Sequence, residues 1–405
     1  MNNHTNSQLS IAANIVDTAR GIIQTNQIVD IADGHIGKIR PFQPAGDESL
    51  LDLRAFTIMP GFIDTHLHIT LNPASPDKKP YDPRESLTAI ITRTIANAQS
   101  ALFAGVTTIG DCGAENRVIL PVRDAINNGS ILGPRILASG SPIVSENKPG
   151  FDVGSIVKTV DDARKVVHSL AEAGVDFIKV MVTGGGGSHP EKANFDVPTL
   201  KAIREEASKH GLVTAAHAHG ILGIRNCIEA GIQRIEHCTF SNGEHFVFDE
   251  EIAREIAQAG IIVSPTNVID YRRWQLKGSG APRDELNEVW RCLYRAGVLF
   301  AGSSDAGVID LFYDDYALIP DLMVNELGMS PADALRACTL HAAKALRLDD
   351  EIGTIEVGKT ADMVILAGNP LEDIQYCYKP AFVIRNGRFV YADNTYLPLP
   401  ETAAL

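Results

Sequence analysis

From about residue 100 to residue 305 the chain repeats one arrangement: a polar amphipathic stretch, then Ala-Gly, then a short β-branched run. It occurs at Ala104-Gly105-Val106, Ala173-Gly174-Val175, Ala230-Gly231-Ile232, Ala259-Gly260-Ile261 and Ala296-Gly297-Val298. Glycine just past a helix end takes the left-handed conformation that stops the helix. The apolar run after it reads as a strand buried on both faces, as parallel sheets require. The strands predicted in this way are residues 58–66, 106–111, 135–139, 177–182, 213–217, 234–237, 261–264 and 299–304. Eight strands separated by helix-length segments predict an α/β protein with a (β/α)8 TIM-like barrel.

The two ends have a different pattern. Residues 9–16, 27–31 and 35–40 are short strand-like runs, and so are 362–367, 381–385 and 388–391. Asp33-Gly34 and Asn386-Gly387 carry the two-residue hairpin signal, in which both central residues accept positive φ. The expectation is a small β-sandwich formed by residues 1–56 and 350–405, with a barrel at 57–349 inserted between them.

Composition narrows the function. Lys plus Arg total 36 against 50 for Asp plus Glu, a formal charge of −14, which disfavours nucleic acid as a partner. The polar start of the chain and the lack of a spanning apolar run predict a cytoplasmic protein that uses no membrane. Six cysteines without a Cys-x-x-Cys pair are expected to be buried reduced thiols.

Candidate chemistry lies at the predicted strand ends. Residues two apart in a strand face the same side, so His66 and His68 of Gly61-Phe62-Ile63-Asp64-Thr65-His66-Leu67-His68 can both point inward at the C-terminal rim. His217 closes the fifth strand, His237 closes the sixth, and Asp305 follows the eighth. Lys179 sits inside the apolar fourth strand, where an ammonium is costly unless it is paired or removed. Carboxylation by carbon dioxide would turn it into an anionic carbamate able to bridge two metals. Each residue has an ordinary reading too: a hydrogen-bonded core histidine, a helix cap for Asp305, a rim ion pair for Lys179. Six such residues over five strand ends favour a metal site, and imidazoles with oxygen anions suit zinc and its neighbours.

The sequence resembles the amidohydrolase superfamily. The features that carry the likeness are Met59-Pro60-Gly61-Phe62-Ile63-Asp64-Thr65-His66-Leu67-His68, Lys179, the two later histidines, Asp305 and the closing Gly353-Thr354-Ile355-Glu356-Val357-Gly358-Lys359-Thr360-Ala361-Asp362. Ile178-Lys179 before a glycine run and Ala216-His217-Ala218-His219 are similar to the Xaa-Pro dipeptidase-like and imidazolonepropionase-like branch. The resemblance implies two divalent ions, with zinc expected. His66, His68 and Asp305 would hold one, His217 and His237 the other, and carboxylated Lys179 would bridge them. A metal-bridging hydroxide would attack an amide, and Asp305 would carry its proton to the leaving group.

His219, two residues beyond His217, is the candidate substrate or oxyanion contact. His189, His245, Tyr313 and Tyr316 are expected on rim loops, and Gly184 to Gly187 as a place of close backbone approach. His4, His35, His168, His210 and His341 read as surface or structural residues. The expected partner is a small molecule (a dipeptide, an N-acyl amino acid or an aromatic amide), and the expected assembly is a homo-oligomer. The alternatives are a mononuclear cyclic-amide hydrolase or deaminase, against which Lys179 speaks, and a non-catalytic assembly protein on the same fold.

Overall fold

The computed structural model describes residues 8–44, 50–75, 77, 79–146, 153–184, 189–277 and 283–396. The chain opens with β1 (Gln8–Asp17), β2 (Ile22–Ala32), β3 (His35–Pro41) and β4 (Leu51–Pro60). Next come β5 (Phe62–Leu67), β6 (Val106–Asp111) and β7 (Arg135–Ala138). A longer series follows: β8 (Ile143–Ser145), β9 (Ser155–Val157), β10 (Phe177–Met181), β11 (Val213–Gly220), β12 (Arg234–Ser241), β13 (Ile262–Ser264) and β14 (Leu299–Phe300). The chain ends with β15 (Met363–Leu366), β16 (Phe382–Arg385) and β17 (Arg388–Ala392). All five Ala-Gly sites behave as the pattern predicts, with φ between 66° and 93° at the glycine.

The middle of the chain is mixed α/β with parallel strands, but its ladder is not one continuous ring. It forms a seven-stranded sheet ordered β14-β13-β12-β11-β10-β8-β9 and a three-stranded sheet ordered β5-β6-β7. Isolated backbone bonds join them at two seams. At one, Thr65 N donates to Gly302 O (3.0 Å), Asp305 N to His66 O (2.7 Å) and His68 N to Ala306 O (2.8 Å). At the other, Asp176 N donates to Ala138 O (2.9 Å). The closed barrel expected from the strand count is corrected accordingly. The eighth strand was expected at 299–304, yet only Leu299–Phe300 lies in the ladder; two residues on, Gly302 N donates to Ala337 O (2.9 Å) instead of to a neighbouring strand, and Asp305 takes φ 56° at the rim.

The expected sandwich is corrected as well. The end strands make a single mixed sheet ordered β17-β16-β15-β4-β1-β2-β3. Its two hairpin turns take the predicted positive φ, 50° and 80° at Asp33-Gly34 and 52° and 74° at Asn386-Gly387. The turns also meet: a Cβ on Gly387 would lie 2.8 Å from the Gly34 Cα. The sheet thus curls until its outer hairpins touch, and no second sheet is needed to cover its apolar face. Alternation sends Ile11, Ile15, Val29, Ile58, Ile365 and Ile384 to that face. Val16, Met59, Val364 and Val383 go to the other, which packs on the main core.

The single strand expected at 58–66 is two. Gly61 separates β4 from β5 and sits so close to the sheet that a Cβ would fall 2.2 Å from Thr107 Oγ1. One apolar run therefore serves two sheets. It carries the chain directly from the terminal sheet to His66.

Candidate active site

Six residues singled out in the sequence converge where β5, β10, β11, β12 and the segment after β14 end. Lys179, His66, His68, His217, His237 and Asp305 are all buried. His68 Nε2 lies 3.2 Å and His66 Nε2 3.5 Å from Asp305 Oδ1. Lys179 Nζ is 3.4 Å from His66 Nε2. His237 Nε2 faces His217 Nδ1 at 2.9 Å, and the His219 ring stacks on His237 with centroids 4.5 Å apart. The chain thereby offers two candidate ligand groups, His66-His68-Asp305 and His217-His219-His237, each with ligand atoms within 4.8 Å of one another.

Contacts on the outer nitrogens orient the rings, so that the other nitrogens face inward. His68 Nδ1 lies 3.3 Å from Gly113 O, which can only accept, so that nitrogen donates and Nε2 is the one turned toward Asp305. His237 Nδ1 is 2.8 Å from Thr266 Oγ1. His66 Nδ1 is 3.0 Å from Glu236 Oε2, at the distance of a hydrogen bond though outside its angle. A carbonyl acceptor at the outer nitrogen fixes the ring orientation that a metal-binding imidazole needs, while the Thr266 hydroxyl can serve either tautomer of His237. His217 Nε2 and Asp305 Oδ1 are buried without a hydrogen-bond partner. Inward-facing imidazole nitrogens, an orphaned carboxylate oxygen and an orphaned imidazole nitrogen fit divalent cations.

The electrostatics agree with that donor set. Burial, helped by Lys179 beside His66 and by neighbouring imidazoles beside the other two, pushes His66, His217 and His237 below the usual imidazole range. They are therefore neutral and able to ligate. Burial alone would raise Asp305, but His66, His68 and Lys179 outweigh it and hold the carboxyl below its usual range. Backbone strain is concentrated here: His237, Cys238, Thr266 and Asp305 have φ of 70°, 51°, 51° and 56°. Asp64 ties two of the ligand segments together, accepting from Ser304 Oγ (2.5 Å), Ser304 N (3.1 Å) and His66 N (3.1 Å). Burial pushes its pKa up to about 7.

Sequence reasoning missed a charged pair beneath the cluster. Arg234 and Glu236, two apart on β12, both point into the fully buried interior. Arg234 Nε donates to Glu236 Oε1 at 2.5 Å, and the guanidinium lies over the Phe177 ring, 4.8 Å from its centroid. Burial would raise Glu236, yet Arg234 and Lys179 keep it below the carboxylate range. The signal was available: a charged residue inside an apolar strand singled out Lys179, and Arg234-Ile235-Glu236 repeats it.

Other expected residues lie elsewhere. Tyr313 and Tyr316 are buried rather than on the rim, with hydroxyls spent on the carbonyls of His68 and Leu71 and of Ile63. His189 and His245 are exposed beside Glu191 and Glu285. His4 and Gly185 to Gly187 lie outside the described residues. Five of the six free cysteines are buried, as expected. No described helix is long and apolar enough to cross a membrane.

Comparison with known proteins agrees with the geometry. Ochratoxinase of Aspergillus niger is 27% identical over 370 residues, covering 82% of this chain and 74% of its own length. Imidazolonepropionase of Thermoplasma volcanium is 24% identical over 403 residues, covering 90% and 91%. The crystal structure of a Xaa-Pro dipeptidase with methionine bound in its active site superposes with a TM-score of 0.84 at 27% identity, over 96% of this chain and 100% of that one. The amidohydrolase family model matches residues 57–390. The chain belongs to the amidohydrolase family, and it is a hydrolase of C–N amide bonds.

Proposed function

We propose that the chain is a binuclear metal-dependent hydrolase of small amides, built on a (β/α)8 barrel interrupted at the two seams. The observation that carries this reading is the pair of adjacent ligand groups, with Lys179 beside His66. His66, His68 and Asp305 would hold one ion, His217 and His237 the other, and carboxylated Lys179 would bridge them. When bound, two zinc ions supply Lewis-acid polarisation of the scissile carbonyl and acidify water. Asp305 accepts a proton and returns it to the leaving amine. His219, stacked above His237 and half-buried, orients the substrate. The named activities of the relatives suggest peptide-like amides, N-acyl amino acids or aromatic amides.

The test is titration of the chelator-stripped enzyme with zinc, followed by hydrolysis of N-acyl amino acids and dipeptides. Activity should rise to an end point near two equivalents. Lys179→Ala should be inactive, with partial rescue by short carboxylic acids that occupy the carbamate's place. Full activity at one equivalent, or wild-type activity in unrescued Lys179→Ala, would overturn the binuclear assignment.

A further inference from the structure

A second cluster of metal-ligand residues lies away from the rim, on two neighbouring outer helices. His168 and Glu172 are four apart on the helix Val160–Glu172. Glu206 and His210 are four apart at the end of the helix Val197–Lys209, where His210 is the cap. Residues at this spacing share one helix face, and here the two faces meet. His168 Nδ1 lies 3.3 Å from His210 Nε2, and His210 Nε2 lies 3.6 Å from Glu206 Oε1. All three side chains bring a ligand atom within 4.8 Å of the others.

We propose that His168, His210 and Glu206 form a surface site for a divalent transition-metal cation of the zinc type, stapling the two helices together. The spacing suits the ion. A tetrahedral zinc with bonds of about 2.1 Å sets its ligand atoms about 3.4 Å apart, close to both measured separations. Outer partners orient the donors as well. His168 Nε2 lies 3.3 Å from Glu172 Oε1, an acceptor-only carboxylate that favours a proton on this nitrogen, and Nδ1 faces His210 Nε2. Lys209 Nζ takes Glu206 Oε2 at 2.6 Å, leaving Oε1 for the site. The Glu206 side chain is only 12% exposed, and those of His168 and His210 are 53% and 29% exposed. The carboxylate is thus held between the helices while the imidazole side opens to solvent, where water completes the coordination.

The test is equilibrium dialysis of the metal-replete enzyme against micromolar zinc, comparing wild type with His168→Ala, His210→Ala and Glu206→Gln. The reading is the difference in bound ions. Wild type should hold one more ion per chain than either histidine variant, Glu206→Gln should bind that ion more weakly, and amide hydrolysis should be unchanged in all. Glu172→Gln should weaken it by at least about 10-fold, the lower end of the usual effect of an outer partner. Zinc should raise the melting temperature of the replete wild type but not of the histidine variants. Equal ion counts in wild type and both histidine variants would overturn the site. A wrong count at the rim would shift every protein equally and leave this difference intact, so the two assignments fail separately.

Discussion

The two seven-stranded sheets draw on the same apolar residues and differ in what they bury among them. The terminal sheet sends Ile11, Ile15, Val29, Ile58 and Ile365 into one cluster, as burial rules dictate. The parallel sheet places Lys179, Arg234 and Glu236 at equally buried positions. Removing a charge from water costs several kcal/mol even after relaxation, so such residues persist where something else holds them. In this chain they lie beneath or beside His66. The first sheet buries mostly aliphatic side chains and supplies stability; the second buries charged groups at the place where the chemistry is proposed.

The sharpest test of that contrast is Asp305, which the proposed mechanism uses both as ligand and as proton carrier. Asp305→Asn keeps an oxygen for coordination and should keep most of the metal. Its turnover should fall by about 10²–10⁴-fold, the usual loss for a general acid–base. The loss should be greatest for an amide and smallest for an activated ester of the same acyl group, because an amine must be protonated to leave and a phenolate need not be. Equal losses at full metal occupancy would reduce Asp305 to a ligand and direct attention to His219.

A smaller effect is expected from the buried pair. Removing one partner alone would leave a bare buried charge, at a cost of about 3–5 kcal/mol. The informative variant is therefore Arg234→Met combined with Glu236→Gln. It should fold, and it should lose about 10–100-fold in metal affinity, the usual penalty for removing the group that orients a metal-binding histidine. Chelator competition gives the reading without any activity assay. Wild-type affinity would mean that the pair only fills space.

The contrast also explains what the sequence could show. Most strand positions and both hairpins were legible because apolar runs after Ala-Gly and Asp-Gly or Asn-Gly turns are local signals. The rim residues were legible because chemistry-bearing residues recur at strand ends. The break at Gly61 was hidden inside one apolar run that serves two sheets. Short strands and hairpin turns showed that both ends are all-β but not how they pair, so a sandwich was expected where one sheet curls on itself. The seam at strand eight depends on a long-range bond from Gly302 N to Ala337 O, which no local pattern encodes. Arg234 and Glu236 were not legible as a pair because two charges in a short run just before His237 read equally well as a solvated strand start.

The smallest effect on turnover belongs to the terminal sheet, and it tests whether that sheet is purely structural. Ile365 is fully buried, paired with Ile58 of β4 on one side and Phe382 of β16 on the other. Ile365→Ala should cost about 2–5 kcal/mol of stability by leaving a cavity, read as a lower denaturant midpoint at unchanged slope. Turnover and metal content of the folded protein should stay at wild-type values. Its neighbour Val364 faces the other way, packing toward Gly105 in the main core, on the side of the sheet that carries the chain through Gly61 to His66. Val364→Ala should cost less stability, because less side chain is removed, and is the better probe of mechanical coupling. If Val364→Ala lowers turnover while Ile365→Ala does not, the sheet helps to position β5 through its core-facing side. If Ile365→Ala lowers turnover by itself, the division between a stabilising sheet and a chemical one fails.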